Sequence, residues 1–154
     1  MNYWDKKLIR SQLNAKLMKV KSLLKLEIPS GGWVKAIRES LGMTLEELGN
    51  RVGLDKSRVS RIEQAETTGE IKISTLEKIA EGLEMTFVYG FAPKKDLEDI
   101  VREQAKKIAI KRMNRIDHSM KLEDQELENK EKREVLNDLV DQILIEEPRN
   151  FWNE

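Results

Sequence analysis

The sequence predicts an all-α protein interrupted by one short strand, and three observations carry that reading. Apolar residues recur at +3 and +4 spacing through nearly every segment of the 154 residues. Charged side chains make up 36% of the chain and prolines number only three, a composition suited to exposed helices. One stretch departs from the pattern. Met85-Thr86-Phe87-Val88-Tyr89-Gly90-Phe91 alternates aromatic and β-branched residues and is closed by Pro93, a strand signal.

Met1 to Leu26 carries one helical pattern, with Leu13, Leu17, Val20 and Leu24 as its apolar seam and seven basic residues on the other faces. Those lysines and Arg10 are either simply solvated or lie along a DNA backbone or a partner. Pro29-Ser30-Gly31-Gly32 breaks the pattern. A helix follows with Trp33, Ile37 and Leu41 inward, Trp33 reading as core, and Gly42 ends it.

Thr44 to Ala65 reads as two short helices joined by a tight turn. Thr44 can cap the first, with Glu47 returning the bond as a capping box. Leu45, Leu48 and Val52 form its stripe, and Gly53 stands where a helix end needs positive φ. Asp55 can cap the second helix, whose inner stripe is Val59 and Ile62. Thr67 to Glu70 turns the chain, and Ser74 with Glu77 predicts another capping box, opening a helix with Leu76, Ile79, Ala80 and Leu83 inward.

The strand over 86–91 stands alone. A single strand leaves its backbone groups unpaired, so the expectation is pairing with its own copy across a two-fold axis or with another chain. Lys94 to Arg115 then reads as a long helix, and Asp124 to Ile145 as an acidic one with Leu127 and, from Val135 on, a dense stripe. Pro148 to Trp152 forms a tail with two aromatics beside Arg149. Three regions follow: residues 1–28, a basic N-terminal helix; 30–92, a helix-turn-helix domain with its terminal strand; and 94–154, a helical region for dimerisation or a partner.

Composition narrows the function. There is no cysteine, so disulfides, thiolate metal sites and a cysteine nucleophile are excluded, and a cytoplasmic protein is expected. No apolar run approaches a membrane span, and the opening MNYWDKKLIR lacks a signal peptide's apolar core. The net charge is zero but segregated. Residues 1–30 and 100–121 each hold seven basic and two acidic side chains, whereas 122–154 hold four basic and eleven acidic. This permits a basic face for phosphate and an acidic face for something else. The lone histidine, His118, and the absence of a Gly-rich phosphate loop or paired metal-ligand spacing argue against an enzyme, a cofactor or a metal.

The register of Leu45, Gly49, Gly53, Leu54, Val59 and Ile62 resembles the helix-turn-helix of phage-repressor-like (XRE/Cro-type) DNA-binding proteins. GWVKAIRESLGMTLEELGNRVGL, VSRIEQAETTGEIKISTLEKIAEGL, FVYGFAPK, HSMKLEDQ at His118 to Gln125, and Pro-Arg-x-x-Trp at Pro148 to Trp152 together resemble the mobile mystery protein A family. That resemblance implies a DNA-binding regulator encoded beside a Fic-domain protein, with an antitoxin-like role. One departure stands out. Fic inhibitors of the best-known sort carry Ser/Thr-x-x-x-Glu-Gly/Asn, yet Glu81-Gly82 and Glu128-Asn129 are preceded four residues earlier by Glu77 and Asp124.

The expected DNA face follows from the Asp55 cap. Lys56 and Ser57 occupy the first turn and are aimed at base edges, and Arg61 one turn later suits guanine. Gln64 is a further candidate for a base or a phosphate. Thr44 lies where a helix N-terminus meets a phosphate, although Leu45 replaces a glutamine that often assists in relatives. Arg58 and Arg51 read as backbone contacts or salt bridges, and Glu63 as structural. The resulting expectation is a homodimeric repressor of a near-palindromic operator. The rival is a protein-binding inhibitor that keeps the fold only as scaffold.

Overall fold

The computed structural model describes residues 1–122 and 129–153, the side chains of 116–122 and 129 excepted. Among the described residues there are seven α-helices: α1 Tyr3–Met18, α2 Trp33–Ser40, α3 Leu45–Val52, α4 Lys56–Thr68, α5 Ile73–Gly82, α6 Leu97–Leu122 and α7 Asn129–Glu146. A 3-10 turn covers Lys21–Lys25. The chain divides into two compact units, one of Lys25–Gly90 and one of Met1–Leu24 with Phe91–Glu154.

The Lys25–Gly90 unit encloses a core of Val34, Leu48, Val52, Val59, Ile79 and Leu83, flanked by Ile37, Met43, Leu45, Leu54, Ile62 and Leu76. Two glycines set how closely its helices approach. A Cβ on Gly49 would lie 2.4 Å from the Leu54 carbonyl oxygen, so any larger residue collides with backbone in the turn. A Cβ on Gly82 would lie 2.4 Å from Val52 Cγ1, which brings the end of α5 against α3.

The other unit is built on α6 and α7, whose shared core is Val101, Ala105, Ile108, Ala109, Val140, Ile143, Leu144 and Phe151. α1 packs on both helices largely through polar groups. Arg10 Nε donates to Glu98 Oε2 at 2.8 Å, Lys6 pairs with Glu147, and Asn14 bonds Asp96 and the Leu97 N–H. No residue of α1 is fully buried.

Several expectations are corrected. The short strand is absent: among the described residues no strand forms, and 86–91 is neither helix nor ladder. The alternation is real, since the Phe87 and Tyr89 rings stack on one side with centroids 6.4 Å apart. However, a ladder needs a neighbouring backbone, and among the described residues none pairs with 86–91. The N-terminal helix ends at Met18, and Leu13 and Leu24 of the expected seam are exposed. The Ser74 capping box does not form, because α5 starts at Ile73 with Lys72 in the N-cap position. Trp33 is exposed rather than core.

The two aromatics of the tail differ in burial. Phe151 is buried in the α6–α7 core, its carbonyl accepting from Gln104 Nε2 at 2.6 Å, while Trp152 stays exposed. The side chains of His118 and Asn129, and residues Asp124, Gln125, Leu127 and Glu128, lie outside the described residues.

Candidate nucleic-acid interface

α3 and α4 form the helix-turn-helix, and each local signal acts as its chemistry requires. Thr44 Oγ1 accepts from the Glu47 N–H at 3.1 Å while Glu47 Oε2 accepts from the Thr44 N–H at 2.7 Å. That backbone bond, with the threonine hydroxyl second, holds the Glu47 carboxyl below its ordinary pKa. Gly53 ends α3 in the left-handed region at φ 69°, and the Leu54 N–H donates to the Gly49 carbonyl at 2.9 Å. Asp55 then caps α4, its Oδ1 accepting from the Arg58 N–H at 2.9 Å.

The inner side of α4 is tied down by its acids. Glu63 is buried against Arg38 of α2 through two bonds, Nε to Oε1 at 2.6 Å and Nη2 to Oε2 at 3.2 Å. Arg38 Nη1 also donates to the Met43 carbonyl at 2.8 Å, which fixes the α2–α3 connection. The hydrogen bond to Glu63, ahead of burial's opposing effect, holds the guanidinium pKa above its ordinary value. One turn on, Glu66 accepts from the Trp33 and Val34 N–H groups at 2.7 and 2.9 Å. Those are the unsatisfied first-turn donors of α2, whose N-cap Gly32 has no side chain to serve them. A Cβ on Gly32 would lie 2.8 Å from Glu66 Oε2.

The opposite side of α4 is left to solvent. At 3.6 residues per turn, Ser57, Arg61 and Gln64 fall in one row, with Arg58 and Lys56 on its two flanks. All five are exposed, and neither Lys56, Arg58 nor Arg61 has an acidic partner among the described residues. Every acid of α4 and its cap points inward or bonds backbone, so the exposed row is cationic and polar. Thr44, at the N-terminus of α3, is exposed too.

Arg51 is engaged elsewhere: Nε donates to the Gly82 carbonyl at 2.6 Å and Nη2 pairs with Glu84. Sequence reasoning missed Arg38 and Glu66. The Arg38–Glu63 pair and the Glu66 bonds to the Trp33 and Val34 N–H groups span 25 to 33 residues and leave no local spacing signal, although an arginine on a short helix beside the apolar Val34 and Ile37 was the available hint.

Residues 34–89 match the helix-turn-helix family HTH_3, a stretch of about a third of the chain that coincides with α2 to the end of the Lys25–Gly90 unit. The chain therefore carries an XRE-type helix-turn-helix domain, the domain of DNA-binding regulators. No curated protein and no solved structure matches the chain. Among the described residues, no helix is long and apolar enough to cross a membrane.

Proposed function

We propose that this protein is a sequence-specific transcriptional repressor, cytoplasmic and non-catalytic, that reads a near-palindromic operator as a homodimer through α4. One observation carries the reading. The acids of α4 are consumed inside the fold, while Lys56, Ser57, Arg58, Arg61 and Gln64 stand exposed together. A scaffold that bound only protein would have no need of that segregation.

In this reading Lys56 and Ser57 reach base edges from the first turn, Arg61 takes a guanine bidentately, and Gln64 bonds a base or phosphate. Arg58 and the α3 N-terminus at Thr44 hold the phosphate backbone. The resemblance to mobile mystery protein A extends the proposal to autoregulation of a shared operon and antitoxin-like engagement of a Fic-domain protein. Restraint of a Fic enzyme would not run through Glu81-Gly82, because Gly82 is buried against Val52 and Leu48 inside the helix-turn-helix core.

The test is fluorescence anisotropy of labelled DNA from directly upstream of the gene, at two salt concentrations, against a scrambled duplex. Tight binding to the upstream duplex with a steep salt dependence is expected. Equal, weak binding to both duplexes would reject the operator-reading role and leave the protein-binding reading.

A further inference from the structure

On the side away from its attachment α1 leaves an apolar stripe to solvent, with Ile9 and Leu13 exposed outside it. The side that packs on α6 and α7 presents Tyr3, Lys6, Arg10, Asn14 and Leu17, and its contacts are mainly ion pairs and hydrogen bonds. The side facing solvent carries Trp4, Leu8, Ser11, Ala15 and Met18, at alternating +4 and +3 spacing. Trp4 is 67% exposed, Leu8 60% and Met18 40%. Together these apolar side chains expose on the order of 500 Å², the upper end of what one patch on a monomer shows.

We infer that this stripe pairs with the same stripe of a second copy, antiparallel, about a two-fold axis passing near Ser11. The spacing is that of the a and d positions of a coiled coil, with Leu8 and Ala15 as a and Trp4, Ser11 and Met18 as d. Antiparallel pairing sets Trp4 against the partner's Met18 and Leu8 against the partner's Ala15, large facing smaller. It crosses the small Ser11 with its own copy at the centre.

Charge selects the direction. One edge of the stripe carries Asp5 near the start of the helix and Lys19 at its C-cap. Antiparallel packing brings Asp5 beside the partner's Lys19 twice, two opposite-charge pairs that parallel packing does not form. This interface deepens the homodimer reading proposed above and rests on it.

The experiment uses the full chain, which lacks cysteine, so one introduced thiol reports one position. Ser11→Cys is expected to form a covalent dimer on mild oxidation. Lys16→Cys, exposed on the same helix but turned away from the stripe, is expected to stay monomeric on denaturing gels. By sedimentation, Leu8→Lys should weaken dimerisation about 100-fold with helix content unchanged, the effect of an unpaired cation in an apolar contact. A wild-type monomer, a dimer indifferent to Leu8→Lys, or equal cross-linking at both positions would each overturn the interface. DNA anisotropy of the same Leu8→Lys protein keeps the two readings apart: binding that still depends on Arg61 leaves the DNA-reading role intact whatever α1 does.

Discussion

Arg38 and Glu63 are 25 residues apart in sequence and buried together, joined by two hydrogen bonds that fasten the recognition helix α4 to α2. The pair removes from α4 an acid that would otherwise compete with phosphate, and it fixes the angle at which the exposed row of α4 is presented. Position and electrostatics thus come from one contact.

Removing one partner should therefore be far worse than removing both. Glu63→Ala leaves a buried guanidinium without its anion, an expected loss of about 3–5 kcal/mol by urea unfolding. Arg38→Met with Glu63→Leu should recover most of it. A double variant as unstable as the single one would show that the pair itself, and not the orphaned charge, dominates.

The two turn glycines should respond differently to alanine. At Gly49 the new Cβ meets the Leu54 carbonyl oxygen at 2.4 Å, so the turn itself must shift, with a loss of about 1–3 kcal/mol or more. At Gly53 nothing lies within 4 Å and only the φ of 69° resists, a loss of about 1–2 kcal/mol. Thermal unfolding of the two variants, side by side, checks the order.

Acid should weaken the fold through Glu47 and Glu103. The Thr44 backbone N–H lowers the Glu47 pKa, and the Lys95 hydrogen bond lowers that of Glu103. A depressed folded pKa stabilises above the unfolded carboxyl value of about 4.5, and that stabilisation is lost as pH falls through the folded value. Glu47→Gln and Glu103→Gln should each flatten the stability profile below that pH and leave its shape near neutrality unchanged. An unaltered acid limb in both would remove these two groups from the account.

Glu66→Ala should loosen the start of α2 specifically. It strips the acceptor from the Trp33 and Val34 N–H groups, and Gly32 has no side chain to replace it. Amide exchange at Trp33 and Val34 should quicken by more than the global stability loss explains. A uniform change across the unit would contradict a capping role.

The legible parts of this molecule were the local ones. The Thr44–Glu47 box, small Gly49, Gly53 in the turn and the Asp55 cap each act over five residues or fewer, and all formed as their spacing predicts. Glu63 was readable as structural, but Arg38 was not readable as its partner, since nothing local links them. For α1 the spacing identified a helix, and of its expected seam Leu17 and Val20 are half-buried while Leu13 and Leu24 are exposed. Arg10, Asn14 and Lys6 attach through charges supplied by Glu98, Asp96 and Glu147 far along the chain. At 86–91 the alternation predicts a strand, and only the absence of a neighbouring backbone forbids it.

The central claim is that Arg61 reads a base from the exposed row of α4. The most direct measurement substitutes each base pair of the operator half-site in turn and compares wild type with Arg61→Ala. The variant is expected to lose discrimination at one position, worth ~1–3 kcal/mol in wild type, and to keep it elsewhere. Affinity that falls equally across every substituted site would make Arg61 a phosphate contact, and an unchanged profile would place the reading surface away from α4.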